Sequence, residues 1–282
     1  MTRLPVRLVL FVLAAAVPVI FVLVPIGSFL VMSFWKMDGA DIVPAATVSN
    51  YVEFWSNESY RRTFLFTLRL CAGVTAIGLI LGYPIAWVIW RMQSRWRTLV
   101  LLLTVIPLFM SYIVKIYTMR SILGLNGLLN MALVAAGILE KPSTLFLYNQ
   151  TAILATMAVV YMPFVILPIY LALDRIPGTL VAASSDLGAR PWTTFRRIVL
   201  PLSAPGVVAG ALFSYILSLG DYITPQMVGG PSGFTFGRII WSQFGLAYNW
   251  PFGAAMAAVL FVVALVLIAA LGRLGKLDGG LP

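Results

Sequence analysis

Few side chains in this 282-residue chain could carry out chemistry by themselves. The sequence has no histidine, a single cysteine, Cys71, and 9 acidic residues. It therefore lacks the commonest general base and the usual metal ligand, and its cysteine cannot form an internal disulfide. The phosphate-binding pattern GxxxxGK[ST] is also absent from the sequence, which excludes ATP binding by that route. We expect no enzyme, no metal site and no cofactor bound by this chain.

A first candidate site is the basic stretch DLGARPWTTFRRIVLPLSAPG at residues 186–206. It lies between two long apolar segments and is interrupted by Gly188, Pro191 and two further prolines. The alternative is a solvated basic loop that only connects two helices, since positive charge alone keeps a loop on one side of a membrane. Such a connector does not require glycine and proline at fixed spacing. The spacing therefore favours a folded loop that meets a partner.

A second candidate site surrounds Asp221, an acidic residue at the end of an apolar run. A charged side chain at membrane depth costs about 2.5–3.5 kcal/mol and usually marks a transport pathway or a charged partner. Asp221 is expected to attract a cationic substrate, to pair with Lys115, or to lie as a plain charge at the membrane interface. Tyrosine rings favour cations but more often pack helices. The tyrosines that could line such a pathway are Tyr112, Tyr161 and Tyr222.

The composition is that of a membrane protein. Hydrophobic residues make up 61% of the chain and charged residues only 10%, whereas soluble domains carry about 25% charged residues. An anionic membrane surface explains the net charge of +10 better than nucleic acid does, because no soluble module is present to hold clustered cations. We therefore expect membrane lipids, and no nucleic acid, among the partners.

Seven uncharged runs are candidates for crossing the membrane, since a spanning helix needs about 20 apolar residues. The first run is too long for the core of a signal peptide, and we expect it to remain as a spanning helix. The runs are residues 8–34, 70–90, 98–114, 121–139, 142–173, 198–220 and 239–272.

The positions of the arginines decide how many of these runs cross. Arginines follow the second run at 91–97 and the fifth run at 175–197, and short cytoplasmic loops carry an excess of positive charge. Two cytoplasmic loops must be separated by an even number of crossings, so one of the three intervening runs does not span. The run 121–139 is rich in glycine and asparagine. We expect it to be a short external or partly embedded helical segment.

The sequence thus predicts an all-α membrane protein with six transmembrane helices and both termini in the cytoplasm. Residues 1–62 are expected to hold the first transmembrane helix and an external segment with a short helix near 50–55. Residues 63–282 are expected to form a core domain of five transmembrane helices. This core includes a cytoplasmic loop at residues 174–200.

The pattern of this loop predicts two short helices that meet at a bend. Pro177 and Gly178 are expected to end the preceding spanning helix, because proline cannot continue it. Residues 179–187 suit a short helix, Gly188 permits a sharp turn, and Pro191 can begin another helix. The loop would then form a knob that protrudes into the cytoplasm.

The loop resembles part of a known family. Gly188, nine residues, and then Ile198-Val199-Leu200-Pro201 match G-x9-I-x-L-P, the end of the EAA loop in permease subunits of binding-protein-dependent ABC importers. The segments LGYPIA (81–86), NGLLN (126–130) and WPFGA (250–254) resemble the spermidine/putrescine branch of that family. The resemblance covers nearly the whole chain after the first helix. It implies a type I ABC importer permease fold in the bacterial inner membrane.

The resemblance also implies a role for the loop. In the family this loop is a coupling helix that docks in a groove on a separate ATPase subunit, and that subunit hydrolyses ATP. The usual Glu-Ala-Ala is replaced here by Ala182, Ala183 and Ser184, so the contacts of the missing glutamate are not carried over. The residues expected to contact the ATPase are Ala182, Ala183, Ser184, Asp186, Gly188, Ala189, Arg190 and Pro191.

The function implied by the resemblance is import of a small solute, with a polyamine such as spermidine or putrescine favoured. The implied partners are a second permease subunit in a heterodimer, two ATP-binding subunits and an external solute-binding protein. Permeases with similar motifs handle opines, phosphonates or ferric iron, and these solutes remain alternatives. An ion-coupled transporter or a membrane-embedded enzyme is less favoured. The spans hold no paired carboxylates, and no clear internal repeat is present.

Overall fold

The structure, a computed structural model, describes residues 11, 14, 16, 17 and 19–277 of the chain. Helices dominate it, and two short strands, β1 (Lys36–Asp38) and β2 (Asp41–Val43), form a hairpin. A π-helical turn, Val19–Leu23, precedes the first α-helix. The α-helices are α1 (Val24–Met32), α2 (Ser49–Ser56), α3 (Glu58–Arg91), α4 (Ser94–Phe109), α5 (Tyr112–Leu123), α6 (Leu128–Ala135), α7 (Gln150–Asp174), α8 (Gly178–Asp186), α9 (Pro191–Thr194), α10 (Leu200–Gly220), α11 (Ile223–Val228), α12 (Phe236–Gly245) and α13 (Trp250–Leu277).

Two compact units share these elements. The first comprises the described residues up to Arg61 together with Ile239–Val262. Within it, Asn50 of α2 is buried, and its Nδ2 donates hydrogen bonds to the main-chain oxygens of Ser33 and Trp35, each at 2.8 Å. These bonds fix α2 against the chain that follows α1. The short helix expected near 50–55 is therefore present as α2.

The second unit, Arg62–Arg238 with the described residues from Val263, holds both candidate sites. Its core is built on α7, whose residues Val165, Ile169 and Leu173 are fully buried and pack with Ala86 and Ile89 of α3. An apolar face of α3 is thus covered by α7.

Four helices are long and apolar enough to cross a membrane: α3, α7, the continuous helix Pro191–Gly220 and α13. A fifth span results if α4 and Tyr112–Ala135 are counted together. Several apolar helices that could span a membrane are thus present, as predicted, whereas the number of six stays a prediction. The first predicted span begins outside the described residues. Its described part, Val19–Met32, is a shorter apolar helix.

The run 98–114, expected as one helix, is broken. α4 ends at Phe109, and Met110 has extended backbone before α5 begins at Tyr112, so the chain bends by 105°. Pro107 lies in the last turn of α4 and cannot donate a main-chain hydrogen bond to the preceding turn. The pattern of apolar residues alone gave no sign of this break.

The run 121–139 contains the end of α5 and the eight-residue helix α6. A helix of eight residues is about 12 Å long, far less than the roughly 30 Å of a bilayer core. Buried Asn130 holds the segment: its Nδ2 donates to the oxygens of Gly124 and Ser143, and its Oδ1 accepts from the Ser143 nitrogen. Asparagine therefore serves here to join short pieces of chain together.

The helix after the loop at 174–200 begins earlier than expected. The sequence predicts a short helix from Pro191 and a separate span from residue 198. In the structure α9 continues through a π-helical turn, Phe195–Val199, into α10. Pro191 occupies the first turn, where its missing N–H costs no hydrogen bond. Pro201 and Pro205 lie in the interior of the continuous helix, where each removes one main-chain donor. One continuous helix therefore joins the loop to the membrane.

Small residues let α7 and α10 approach closely. The buried face of α10 consists largely of serine and glycine, including Ser203, Gly206, Gly210 and Ser214. A Cβ added at Gly206 would lie 2.5 Å from the Pro168 oxygen of α7, and one at Gly210 would lie 3.1 Å from the Val165 oxygen. Small residues at such spacing allow membrane helices to gain van der Waals contact along their length.

We predict that Gly206→Ala lowers the thermal midpoint of the purified protein, although alanine has the higher helix propensity. Overpacking a close helix contact costs about 1–3 kcal/mol, which exceeds the gain of about 1 kcal/mol in propensity. Gly220→Ala is the matched control, because that glycine lies in the same helix and has open space around its Cα. Equal midpoints for the two variants would contradict the close packing of α7 and α10.

Candidate functional site

The loop at 174–200 folds as two short helices joined by a tight turn. α7 ends at Asp174, and Pro177 precedes α8. Pro177 and Gly178, expected to end the spanning helix, therefore belong to the start of α8. At Gly188 φ is +75°, in the left-handed region that favours glycine. The expected bend is confirmed at this residue.

Buried polar contacts hold α8 and α9 together. The hydroxyl oxygens of Ser184 and Thr194 lie 2.9 Å apart, and both side chains are buried. The Ala189 nitrogen donates to the Ser184 oxygen at 3.0 Å, and the Gly188 nitrogen donates to the Ser185 oxygen at 2.9 Å. The residues from Gly178 to Thr194 thus form a fixed element, called the knob below.

Most of the residues expected to meet an ATPase lie on the surface of the knob. Ala182, Ala183, Asp186, Gly188, Arg190 and Pro191 are exposed, and Ala189 is half-buried. Ser184 is the exception: it is only 7% exposed, and its hydroxyl is directed to Thr194. Ser184 therefore supports the knob from within.

Two exposed apolar side chains near the turn of the knob were not singled out from the sequence. Leu187 is 88% exposed, and Trp192 is 69% exposed. They flank the turn at Gly188, in a region that is otherwise charged or small. Their positions on either side of Gly188 and Pro191 were the signal available in the sequence, because chain reversals expose the residues beside them.

The second candidate site is a hydrogen-bonded cluster around Asp221. Asp221 is 7% exposed. Tyr112 donates its hydroxyl hydrogen to Asp221 Oδ2, and the Tyr161 hydroxyl lies 3.1 Å from the same oxygen. The Tyr112 oxygen also lies 2.7 Å from Thr224 Oγ1. The structure thus brings together three of the four residues proposed for the pathway, from α5, α7 and the end of α10.

Asp221 also organises the main chain. Its Oδ1 accepts hydrogen bonds from the nitrogens of Ile223 and Thr224, each at 3.0 Å. The first N–H groups of α11 have no partner within the helix, and the Asp221 carboxylate accepts two of them. A carboxylate at this place also interacts favourably with the positive end of the helix dipole. Tyr222, the fourth proposed residue, is half-buried between α10 and α11.

The expected alternative, a pair between Asp221 and Lys115, is not formed. Within the described part of the chain no ion pair joins these two residues, and the Lys115 Nζ instead lies 5.6 Å from the centroid of the Tyr112 ring. Hydrogen bonds from hydroxyl and main-chain groups surround the carboxylate in place of a cation. The Asp221 carboxyl group therefore lies buried at the end of a spanning helix without a cationic partner among the described residues.

Thr224 was missed in the sequence, although a signal was present. An aspartate that precedes an isoleucine, a threonine and a proline suits the capped first turn of a helix, with proline near its start. The long-range partner of Thr224, Tyr112, could not have been inferred, because more than one hundred residues separate them in the chain.

An apolar cavity of about 480 Å³ lies beside the break between α4 and α5. Its walls include Pro107, Met110 and Pro163, and Lys115 is the charged residue among those that line it. A cationic solute would gain little from these walls and would be repelled by Lys115. The walls of the cavity therefore offer no attraction for a cation.

A family model for the inner membrane component of binding-protein-dependent transport systems matches residues 75–274. The match includes the knob, Asp221 and most of the spanning helices.

Two curated relatives extend the likeness over nearly the whole chain. The spermidine/putrescine transport system permease protein PotB of Haemophilus influenzae is 33% identical over 260 residues, which cover 92% of this chain and 90% of that protein. The inner membrane ABC transporter permease protein YdcU of Escherichia coli is 35% identical over 275 residues, which cover 92% of this chain and 87% of that protein.

Solved structures share the fold at lower identity. A bacterial ABC transporter that imports the acidic polysaccharide alginate aligns with a TM-score of 0.79 at 17% identity, covering 96% of this chain and 95% of that chain. The MetNI methionine ABC transporter in an inward-facing conformation aligns with a TM-score of 0.59 at 19% identity, covering 79% and 99%. These likenesses show the fold of a type I ABC importer permease.

The resemblance drawn from the loop spacing is thereby confirmed, and so are the predictions of an inner-membrane protein and of a transport component rather than an enzyme. The chain belongs to the family of inner-membrane components of binding-protein-dependent transport systems and is a permease subunit of an ABC importer.

Proposed function

We propose that this permease subunit imports a polyamine, with energy supplied by ATP hydrolysis on a separate subunit docked at the knob. The observation that carries the proposal is the knob itself. It is an internally bonded pair of short helices that reverses at Gly188 and continues as one helix, Pro191–Gly220, into the membrane. Because no break interrupts this helix, we expect displacement at the tip of the knob to reach α10.

The proposed complex contains this chain, a second permease subunit as a heterodimer, two ATP-binding subunits and an external solute-binding protein. ATP is bound by the ATP-binding subunits, and this chain binds no cofactor. Residues 63–282 act as the core permease domain, with the coupling loop at 174–200. The exposed apolar pair Leu187 and Trp192 supports docking, since exposed apolar side chains favour burial against a partner.

The proposed topology has six transmembrane helices with both termini and the knob in the cytoplasm, and with residues 121–139 outside. The arginines beside the second and fifth apolar runs support this orientation. The short length of α6 supports the assignment of 121–139 as a segment that does not cross.

In spheroplasts that lack the ATP-binding subunits, we predict that a membrane-impermeant maleimide labels Asn126→Cys when the spheroplasts are intact, whereas it labels Leu187→Cys only after permeabilisation. Both positions are exposed in the structure, so access depends on the side of the membrane. The native Cys71 is fully buried, and the unsubstituted protein is therefore the background control. Labelling of Leu187→Cys from outside intact spheroplasts would overturn the orientation.

The polyamine is proposed from two observations. Relatives about 30% identical over most of the chain carry names that refer to spermidine and putrescine transport. The buried Asp221 carboxylate supports a cationic solute, because negative charge at the mouth of a spanning helix raises the local concentration of cations and offsets part of their lost hydration. We propose that Asp221 lies on the solute route with Tyr112, Tyr161 and Tyr222, and that it is reached when α5 and α7 separate.

We predict that Asp221→Asn lowers uptake of radiolabelled spermidine by the reconstituted complex about 10- to 100-fold, the loss expected for one charge-assisted contact. The loss should be larger for spermidine than for putrescine, which carries less charge. Asparagine retains an oxygen that can cap α11, so the thermal midpoint should change little. Asp174→Asn is the control, because that carboxylate is part-exposed and pairs with Arg97 at 3.2 Å.

Two results would count against a pathway role for Asp221. Unchanged uptake of both polyamines by Asp221→Asn would exclude a pathway role for this residue. A parallel fall in uptake and in thermal midpoint would assign Asp221 to structure alone. Higher uptake of an anionic solute by Asp221→Asn would instead favour the phosphonate alternative.

A further inference from the structure

Aromatic side chains meet where the knob joins the spanning helices. Tyr83 and Trp87 lie one turn apart on α3, Trp192 lies on α9, and Phe195 begins the π-helical turn after α9. We call these four residues the aromatic junction. Trp192 also belongs to the exposed apolar pair proposed to meet the ATPase, whereas the other three residues do not. None of the four belongs to the Asp221 cluster.

Phe195 is the centre of the junction. Its ring centroid lies 4.8 Å from that of Trp87 at an interplanar angle of 71°, and 5.9 Å from that of Tyr83 at 80°. Trp192 stacks on it at 5.3 Å and 28°. Edge-to-face and offset pairs at such distances have preferred geometries, so they fix orientation as well as separation.

Polar contacts reinforce the same connection. The Tyr83 hydroxyl lies 2.9 Å from Ser203 Oγ of α10, and Ser203 is fully buried. The Arg91 guanidinium carbon lies 4.8 Å from the Trp87 ring centroid, at the end of α3. Below the junction, Val199 packs with Ala86 and Ile89 in the buried core. The knob is therefore held to α3 through side chains, although α3 is far from it in sequence.

The two helices that meet here are the ones suited to carry motion. α10 is continuous with the knob, and α3 has 34 residues, or about 50 Å of helix. A π-helical turn adds one residue to a helical turn and recurs at functional sites. In this chain the turn begins at Phe195, whose ring packs against Trp87 of α3.

We propose that Phe195 and Trp87 transmit movement of the knob to α3, so that α3 and α10 move together when the ATPase works. The inference rests on the proposed role of the knob in coupling. Both residues are positioning residues: they act through α3 and touch neither solute nor nucleotide. Packed side chains of this kind carry coupling between sites when they connect rigid elements.

The first test measures, for the reconstituted complex, how many ATP molecules are hydrolysed for each solute molecule taken up. Phe195→Ala should raise the number of ATP molecules hydrolysed per solute by about tenfold, within the range of mutations that weaken coupling. Phe195→Tyr keeps the ring and should restore the wild-type ratio. The double variant with Trp87→Ala should be no worse than Phe195→Ala, because both remove one contact.

Phe64→Ala is the matched control. Phe64 lies on the same helix α3, far from the junction, and its ring packs at 5.1 Å against that of Phe236. It should lower stability while leaving the ratio of ATP to solute near the wild-type value. The same ratio in Phe195→Ala and Phe64→Ala would overturn the inference.

The second test needs no solute, so it separates the junction from the proposed function. Spin labels at Val88 and Thr179, both exposed and neither assigned to docking, report the distance across the junction in the purified complex. We expect a narrow distribution in the wild type and a broad one in Phe195→Ala. Distance distributions of equal width in the wild type and in Phe195→Ala would overturn the inference, whatever the uptake experiment shows. A wild-type complex that takes up no solute, while the widths differ as expected, would refute the proposed function and leave the mechanical link in place.

Discussion

The buried hydrogen bond between Ser184 and Thr194 holds the knob together, and it forms only because the chain reverses between them. The reversal uses a left-handed backbone at Gly188, which costs other residues about 1–2 kcal/mol. With the turn in place, α8 and α9 lie side by side, and their hydroxyl groups can meet away from water. Without it, α9 would lose its contact with α8, and the apolar tip would no longer be presented in one arrangement.

The knob is joined to a membrane-spanning helix without a break in the helix. A π-helical turn joins α9 to α10, and α10 lies so close to α7 that glycine is needed at the contact. Backbone polar groups within a bilayer must be satisfied inside the segment, and a helix meets this requirement. At the other end of α10, Asp221 links α11, α5 and α7 through hydrogen bonds. The two candidate sites thus lie at opposite ends of the same helix.

The sequence predicted those features that depend on local chemistry. Gly188 was expected at a bend because glycine tolerates positive φ, Pro191 was expected to begin a helix, and the apolar runs indicated spans. Spacing in the loop identified the family. Features set by contacts between distant segments were missed: the burial of Ser184 against Thr194, the Tyr112–Asp221 bond and the packing of Phe195 on Trp87. The break after Phe109 was also missed, because hydrophobicity does not distinguish a straight helix from a bent one.

The most direct test of coupling through the knob is the ratio of ATP hydrolysed to solute imported by complexes that differ only at Gly188. Valine disfavours positive φ, whereas asparagine tolerates it. Gly188→Val should therefore assemble and hydrolyse ATP with little import, and Gly188→Asn should import nearly as well as the wild type. Gly178→Val is the control, since that glycine has open space and is not in the left-handed region. Wild-type import by an assembled Gly188→Val complex would contradict the claim that the knob couples ATP hydrolysis to transport.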